Sequence, residues 1–205
     1  MKDAYKTISK TSEGEYKEKG SKFLAFAFSV SNESEVKAHL EALRKQYYDA
    51  RHHCYAYVLG QEYDQYRAND DGEPNHSAGD PILGQIKSKN LTNTLVVVVR
   101  YFGGTKLGVG GLINAYKVAA EEALLSNSII TIEITNTYTL HYGYETTNEV
   151  MRLVNDFNIE IVEQRYEVEC FMKVKVKLGV EESFNNKIKL LQNLGNNILL
   201  DCLSN

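Results

Sequence analysis

The sequence predicts an α+β chain of two domains, residues 1–127 and 128–205. Three observations carry that prediction. Residues 94–100 (TLVVVVR) form an apolar run of strand length that leads through glycines into a helical pattern. Val168, Cys170, Met172, Val174, Val176 and Leu178 alternate strictly, the strongest period-two signal in the chain. The patterning also changes character after Ser128.

Residues 21–30 (SKFLAFAFSV) are rich in β-formers and read as a strand. Asn32 then opens a helix, with Glu35 three residues on completing a capping-box pattern. Val36, Leu40, Leu43 and Tyr47 follow at spacings that place them on one buried face. Residues 53–59 (HCYAYVL) read as another strand. Residues 61–81 are polar, contain Gly72, Pro74, Gly79 and Pro81, and read as a long loop. Loops of that length within compact domains are usually functional or disordered. A helix starts near Asp80-Pro81, where a capping Asp precedes Pro at the first helical position. The run 94–100 is a strand apolar on both faces. Gly103-Gly104 then turn the chain, and Leu112, Tyr116, Ala119, Ala120, Ala123 and Leu124 keep helical spacing.

In the second domain Ile130, Ile132, Ile134, Tyr138 and Leu140 alternate as one strand. Val150, Leu153, Val154 and Phe157 form a helical stripe, and residues 159–162 a short strand. The alternating run 168–178 follows, then a helix through Phe184, Ile188 and Leu191 that Gly195 ends, then a last strand at 198–203. That βαββαβ order suits a ferredoxin-like sandwich.

Composition narrows the function classes. Hydrophobic residues make up 43% and charged residues 24%, an ordinary globular mix. No apolar run approaches the ~20 residues of a membrane helix, so no membrane partner is expected. The N-terminus lacks the apolar core of a secretion signal, and a cytoplasmic location is expected. Cys54, Cys170 and Cys202 are widely spaced and read as reduced thiols rather than a zinc site. Residues 1–127 carry 16 basic against 16 acidic side chains, and residues 128–205 carry 7 against 11. Neither half is the basic body of a protein held to nucleic acid mainly by phosphate contacts, although a local basic patch stays open.

Three segments hold the unusual residues of the first domain. At 100–108 (RYFGGTKLG) a strand ends, the chain turns on glycines, and a helix begins. The first helical N–H groups lack partners, and the helix dipole adds roughly half a positive charge there, which suits phosphate or carboxylate. Arg100, Gly103, Gly104, Lys106, Gly108, Gly110 and Gly111 are therefore the candidate anion- or nucleic-acid-binding residues. The competing reading is that the glycines only let strand and helix pack tightly.

The second segment places Asp70, Asp71, Glu73 and Asp80 within eleven residues. Such carboxylates can hold Mg²⁺ or act as acid and base, but more often they fix turns through backbone N–H groups. If this loop lies beside the glycine turn, an anion needs a cationic partner, and Arg51, Arg67 and Arg100 are the candidates. The third segment, 51–57 (RHHCYAY), brings two histidines. Neighbours on a strand point to opposite faces, so His52 and His53 do not share one ion. One of them facing the site as an acid–base or hydrogen-bonding group is the better reading, and His53 joins Arg51, Arg67, Asp70, Asp71, Glu73 and His76 as the candidate polar cluster. No metal site and no cofactor is expected.

The strings RHHCYAYVLG, DDGEP, AGDPIL and VVVVRYFGGTKLGVGGLINAY resemble the bacterial, YigZ-like members of the IMPACT family. The resemblance covers about residues 15–127, and residues 100–108 are its most diagnostic part. It implies for the first domain a fold like domain 2 of a small-subunit ribosomal protein, elongation-factor-G domain IV and the GHMP kinases. For the second it implies one like the C-terminal domain of elongation factor G. Where relatives often carry Gly-Thr before Ala-Gly-x-Pro, this chain carries His76-Ser77. Eukaryotic members act in the amino-acid-starvation response through an added RWD domain, a partner mode not expected here.

The resemblance and the glycine turn favour a non-catalytic factor associated with nucleic acid or the ribosome and regulating translation. RNA, the ribosome or a phosphate-bearing ligand is the expected partner. The alternative is an enzyme, a hydrolase or a metal-assisted phosphate-handling activity, using Asp70, Asp71, Glu73 or His53.

Overall fold

The computed structural model describes residues 3–203. The chain divides into two compact units between Ile132 and Glu133. In the first, β1 (Ala4–Ile8), β2 (Ser12–Glu18) and β3 (Ser21–Ser29) precede α1 (Glu33–Gln46). Then come β4 (His52–Leu59), β5 (Gln65–Asn69), α2 (Gly79–Ser88), β6 (Thr94–Tyr101), α3 (Gly108–Leu125) and β7 (Ile129–Glu133). Five strands form one antiparallel sheet in the order β2-β3-β6-β4-β5, and β1 pairs with β7 in a separate ribbon. That pairing is why the division falls beyond the boundary expected at 128.

The central strand β6 is buried on both sides, as its run of valines requires. Val96 and Val98 face α2 and α3, packing with Ala25, Cys54, Ile82 and Tyr116. Leu95, Val97 and Val99 face α1, packing with Val36, Leu40 and Leu43. The α1 cap forms as its residues dictate: Asn32 Oδ1 accepts from the Glu35 N–H at 3.0 Å, and Glu35 accepts from the Ser31 N–H at 2.7 Å. Helix α3 lies close on the sheet because its contact residues are alanines and the facing residue of β2 is Gly14. A Cβ on Gly14 would stand 2.4 Å from the Ala123 nitrogen.

Four elements differ from expectation. Strands β1, β2 and β5 carry polar side chains on an exposed face, so no run of β-formers marks them. Strand β5 occupies part of the stretch 61–81 that reads as loop, paired along β4 at the sheet edge. Helix α2 is capped from outside: the Asp70 carboxylate, not Asp80, accepts the Ala78 and Gly79 N–H groups at 2.9 and 2.8 Å.

The second unit runs β8 (Thr135–Tyr142), α4 (Thr147–Asp156), β9 (Glu160–Tyr166), β10 (Cys170–Lys177), α5 (Leu178–Asn193) and β11 (Ile198–Leu203). This is the βαββαβ order, with an antiparallel sheet ordered β11-β8-β10-β9. Cys170, Met172, Val174 and Val176 point into its core with Phe184 and Ile188 from α5. Val168 leaves the expected alternation and is 95% exposed in the turn before β10. The single strand expected across 130–140 is two, because β7 and β8 part at Ile134.

The chain has three free cysteines, of which Cys54 and Cys170 are buried and Cys202 is exposed. Burial pushes the Cys54 thiol far above the ordinary thiol range. Cys202 is therefore expected to react rapidly with a thiol reagent in the native protein while the other two react only after denaturation. Rapid modification of two or three thiols under native conditions would contradict this burial.

Candidate functional site

The candidate site is a cleft of about 500 Å³ in the first unit, where the ends of β4 and β6 meet the start of α3. Arg51, His52 and Lys106 stand at its polar side. Pro74, Phe102, Leu107, Val109 and Leu112 supply apolar walls, and Glu73 and Arg100 complete the lining.

The turn from β6 into α3 divides the glycines by role. Gly103 is a packing glycine: a Cβ there would lie 1.9 Å from the Gly20 carbonyl carbon and 2.1 Å from the Ser21 nitrogen. Gly104 and Gly108 adopt left-handed backbone, at φ 85° and 74°, which other residues enter at a cost. A Cβ on Gly104, Gly108 or Gly110 would touch nothing within 4 Å, so the start of α3 is open. At Gly111 a Cβ would come within 3.0 Å of the Leu107 side chain, a tight but local contact. No side chain caps this helix, whose flanking residue is Leu107. The first N–H groups of an 18-residue helix thus face the open side of the turn without a protein acceptor from a cap. Lys106 and Arg51 are exposed, and neither makes an ion pair among the described residues.

Arg100 does not have the role expected of it. Register pairs it with His52, which places both side chains on the α2–α3 face. Its side chain is turned inward, and the residue is only 6% exposed. Nη1 donates to Glu73 Oε1 at 2.5 Å, and Glu73 is itself only 8% exposed. The Tyr116 hydroxyl donates to the same oxygen at 2.8 Å, and the Cys54 sulfur lies 3.3 Å from that hydroxyl. Burial, with the Cys54 and Glu73 neighbours adding to it, drives the Tyr116 hydroxyl well above its ordinary range, so it stays protonated and donates. Arg100 Nε is buried with no hydrogen-bond partner. The guanidinium also lies 5.5 Å from the Phe23 ring centre and 5.7 Å from that of Phe102. As a free cation beside the turn Arg100 is therefore corrected: Glu73 already neutralises it.

The acidic loop is absorbed into structure. Besides capping α2, Asp70 accepts from the His76 N–H at 2.9 Å. Asp71 accepts from the His53 N–H at 2.7 Å and from Arg44 at 3.3 Å. Asp80 meets His76 at 2.6 Å. His76 sits at φ 62°, left-handed backbone, which explains physically why Gly suits this position in the resemblance. Among the described residues no group of three or more His, Cys, Asp or Glu side chains is placed to hold a metal ion.

Of the candidate polar cluster only Arg51 and Glu73 line the cleft; Asp70, Asp71 and His76 are held in the loop just described, and His53 and Arg67 lie on the other face of the sheet. His53 points away from the cleft toward α1, where burial holds its pKa below the ordinary histidine value and Nε2 has no partner. The histidine at the cleft is His52, whose Nδ1 is 2.9 Å from the Asp71 carbonyl oxygen. Arg67 pairs in register with Tyr57, whose side chain packs on the α1 side, so it too leaves the cleft. Pro74, Leu107 and Val109 stand outside the candidate residues but line the cleft. Phe102 is the aromatic residue that the sequence offers as a stacking face and that reaches the cleft, 55% exposed, whereas Tyr55 and Tyr57 are buried on the α1 side.

Fold and site together define a two-unit α+β protein with a mainly apolar cleft at an uncapped, glycine-rich helix start. Known proteins give that class a family. The Impact N-terminal domain model matches residues 19–124, a stretch that contains every residue lining the cleft. The chain is 31% identical to IMPACT family member YigZ of Escherichia coli over 172 residues, covering 83% of this chain and 84% of YigZ. It is 42% identical to IMPACT family member YvyE of Bacillus subtilis over 124 residues, 60% of this chain and 57% of YvyE. A crystal structure of a hypothetical protein matches with a TM-score of 0.68 at 27% identity, covering 97% of this chain and 98% of the other. The chain belongs to the IMPACT family. No helix is long and apolar enough to cross a membrane among the described residues.

Proposed function

We propose that this IMPACT-family chain is a non-catalytic factor that binds RNA, free or in the ribosome, and acts in the regulation of translation. The observation that carries the reading is the open start of α3, where uncapped N–H groups, Lys106 and Arg51 converge on one cleft. Exposed Phe102 beside it offers a ring face of the kind single-strand binders use to stack bases. The taking up of Asp70 and Asp71 by backbone N–H groups favours binding over acid–base work at this loop. The net charge of −4 points to modest, salt-sensitive affinity.

Filter binding of short RNAs at low salt tests the reading. Lys106→Ala is expected to weaken binding by a similar factor for every RNA sequence and to reduce the salt slope by about one. An RNA affinity no higher than that of an acidic control protein would sink the reading.

A further inference from the structure

We infer that the cleft takes a single terminal phosphate monoester together with the planar ring next to it, the chemistry shared by a nucleic-acid strand end and a free nucleotide. This inference rests on the phosphate reading of the α3 start and narrows it. Four observations support it.

The cleft is of ligand size rather than a track. Its volume of about 500 Å³ falls within the ~300–1,000 Å³ of small-molecule sites. An extended strand, by contrast, needs a line of cations, and residues 1–127 carry no net positive charge, with 16 basic side chains against 16 acidic.

The cationic equipment is concentrated at one point. The uncapped helix start, Lys106 and Arg51 supply two full charges and a partial one. A phosphate monoester carries about −1.5 to −2 near neutral pH, whereas each diester along a strand carries about −1. The site therefore matches a terminal group better than an internal one.

Beyond the helix start, the lining offers a buried polar group. Arg100 lines the cleft while more than nine-tenths buried, and its Nε lacks a partner. Glu73 holds it through Nη1, leaving the guanidinium as a rigid plane that makes no other hydrogen bond among the described residues. That plane lies beside the Phe102 ring, 5.7 Å from its centre. Of the two, Phe102 is 55% exposed and is the face open to a base.

Finally, the walls between phosphate end and ring are apolar. Pro74, Leu107 and Val109 suit the sides of a flat ring and offer no further charge for a second phosphate.

Fluorescence anisotropy with the full chain provides the test, using labelled short RNAs of one sequence that end in a phosphate or in a hydroxyl at the unlabelled terminus. The phosphate-ended RNA is expected to bind at least about tenfold more tightly, with a salt slope near −0.7 per phosphate held. A nucleoside monophosphate should compete, while the nucleoside and inorganic phosphate each compete at least about tenfold less well. A strand end is the source if the RNA outbinds the mononucleotide, and a free nucleotide if it does not. Gly110→Glu places a carboxylate in open space at a helix start that favours acidic residues, so the variant should fold and lose the preference for phosphate ends. Phe102→Leu should weaken the mononucleotide several-fold and leave inorganic phosphate unchanged. Equal binding of both RNA ends, with affinity rising with length, overturns the inference but leaves the broader reading standing. Silence toward every RNA and nucleotide overturns both.

Discussion

Arg100→Ala is expected to destabilise the first unit by about 3–5 kcal/mol, because it strands the buried Glu73 carboxylate without its counter-charge. Removing one member of a buried pair leaves a desolvated charge that water no longer reaches, and that penalty exceeds the value of the lost hydrogen bond. The opposite result is expected when both members go. Glu73→Leu with Arg100→Met swaps the pair for apolar side chains of similar reach, and such exchanges are often neutral or stabilising. Urea denaturation followed by circular dichroism on the wild type, both single variants and the double variant closes the cycle. A stable Arg100→Ala protein, or a double variant as weak as the sum of the singles, would show that the pair is not the internal fixture described. The result also governs how binding data are read, since loss of RNA affinity in Arg100→Ala would report unfolding before it reported a contact.

Gly103→Ala is expected to cost about 3 kcal/mol or more, at the upper end of overpacking effects. The added Cβ would meet main-chain atoms of Gly20 and Ser21 at about 2 Å, and no side chain is present there to swing aside. The end of β6 and the β2–β3 turn must separate, which also breaks the Gly103 N–H bond to the Ser21 hydroxyl at 3.1 Å. Its neighbour provides the control. Gly104→Ala meets open space and carries only the penalty of left-handed backbone, about 1–2 kcal/mol. Melting curves that placed Gly104→Ala below Gly103→Ala would reverse the assignment of packing and opening roles to these two residues.

Much of the frame was legible because it follows from local patterns. The valines of β6, the Asn32–Glu35 cap of α1 and the alternation of β10 each state their environment within a few residues. Strands β1, β2 and β5 escaped because an edge strand with one wet face owes its existence to its partner, not to its own composition. The segments that line the candidate cleft stand out in the sequence, but what each side chain does there does not. Nothing local tells that Arg100 turns to Glu73, 27 residues earlier, since an arginine at a strand end is as well suited to solvent. The choice between His52 and His53 needed the face of β4 that meets α3, a fact of topology. Asp80 before Pro81 reads as the cap of α2, yet the carboxylate that caps it is that of Asp70, which only the folded loop brings there. Among the glycines, five share one short motif, yet closeness of a second chain segment alone separates Gly103 from the rest.

Glu73 ties a strand, a loop and a helix through one oxygen, since Arg100 comes from β6 and Tyr116 from α3. Natural drift at these three positions is consequently constrained to move in concert: an exchange tolerated at one depends on what stands at the other two. A library randomising all three at once should return residues 73 and 100 that are both apolar or both ionic, and almost no sets in which one of that pair is charged alone.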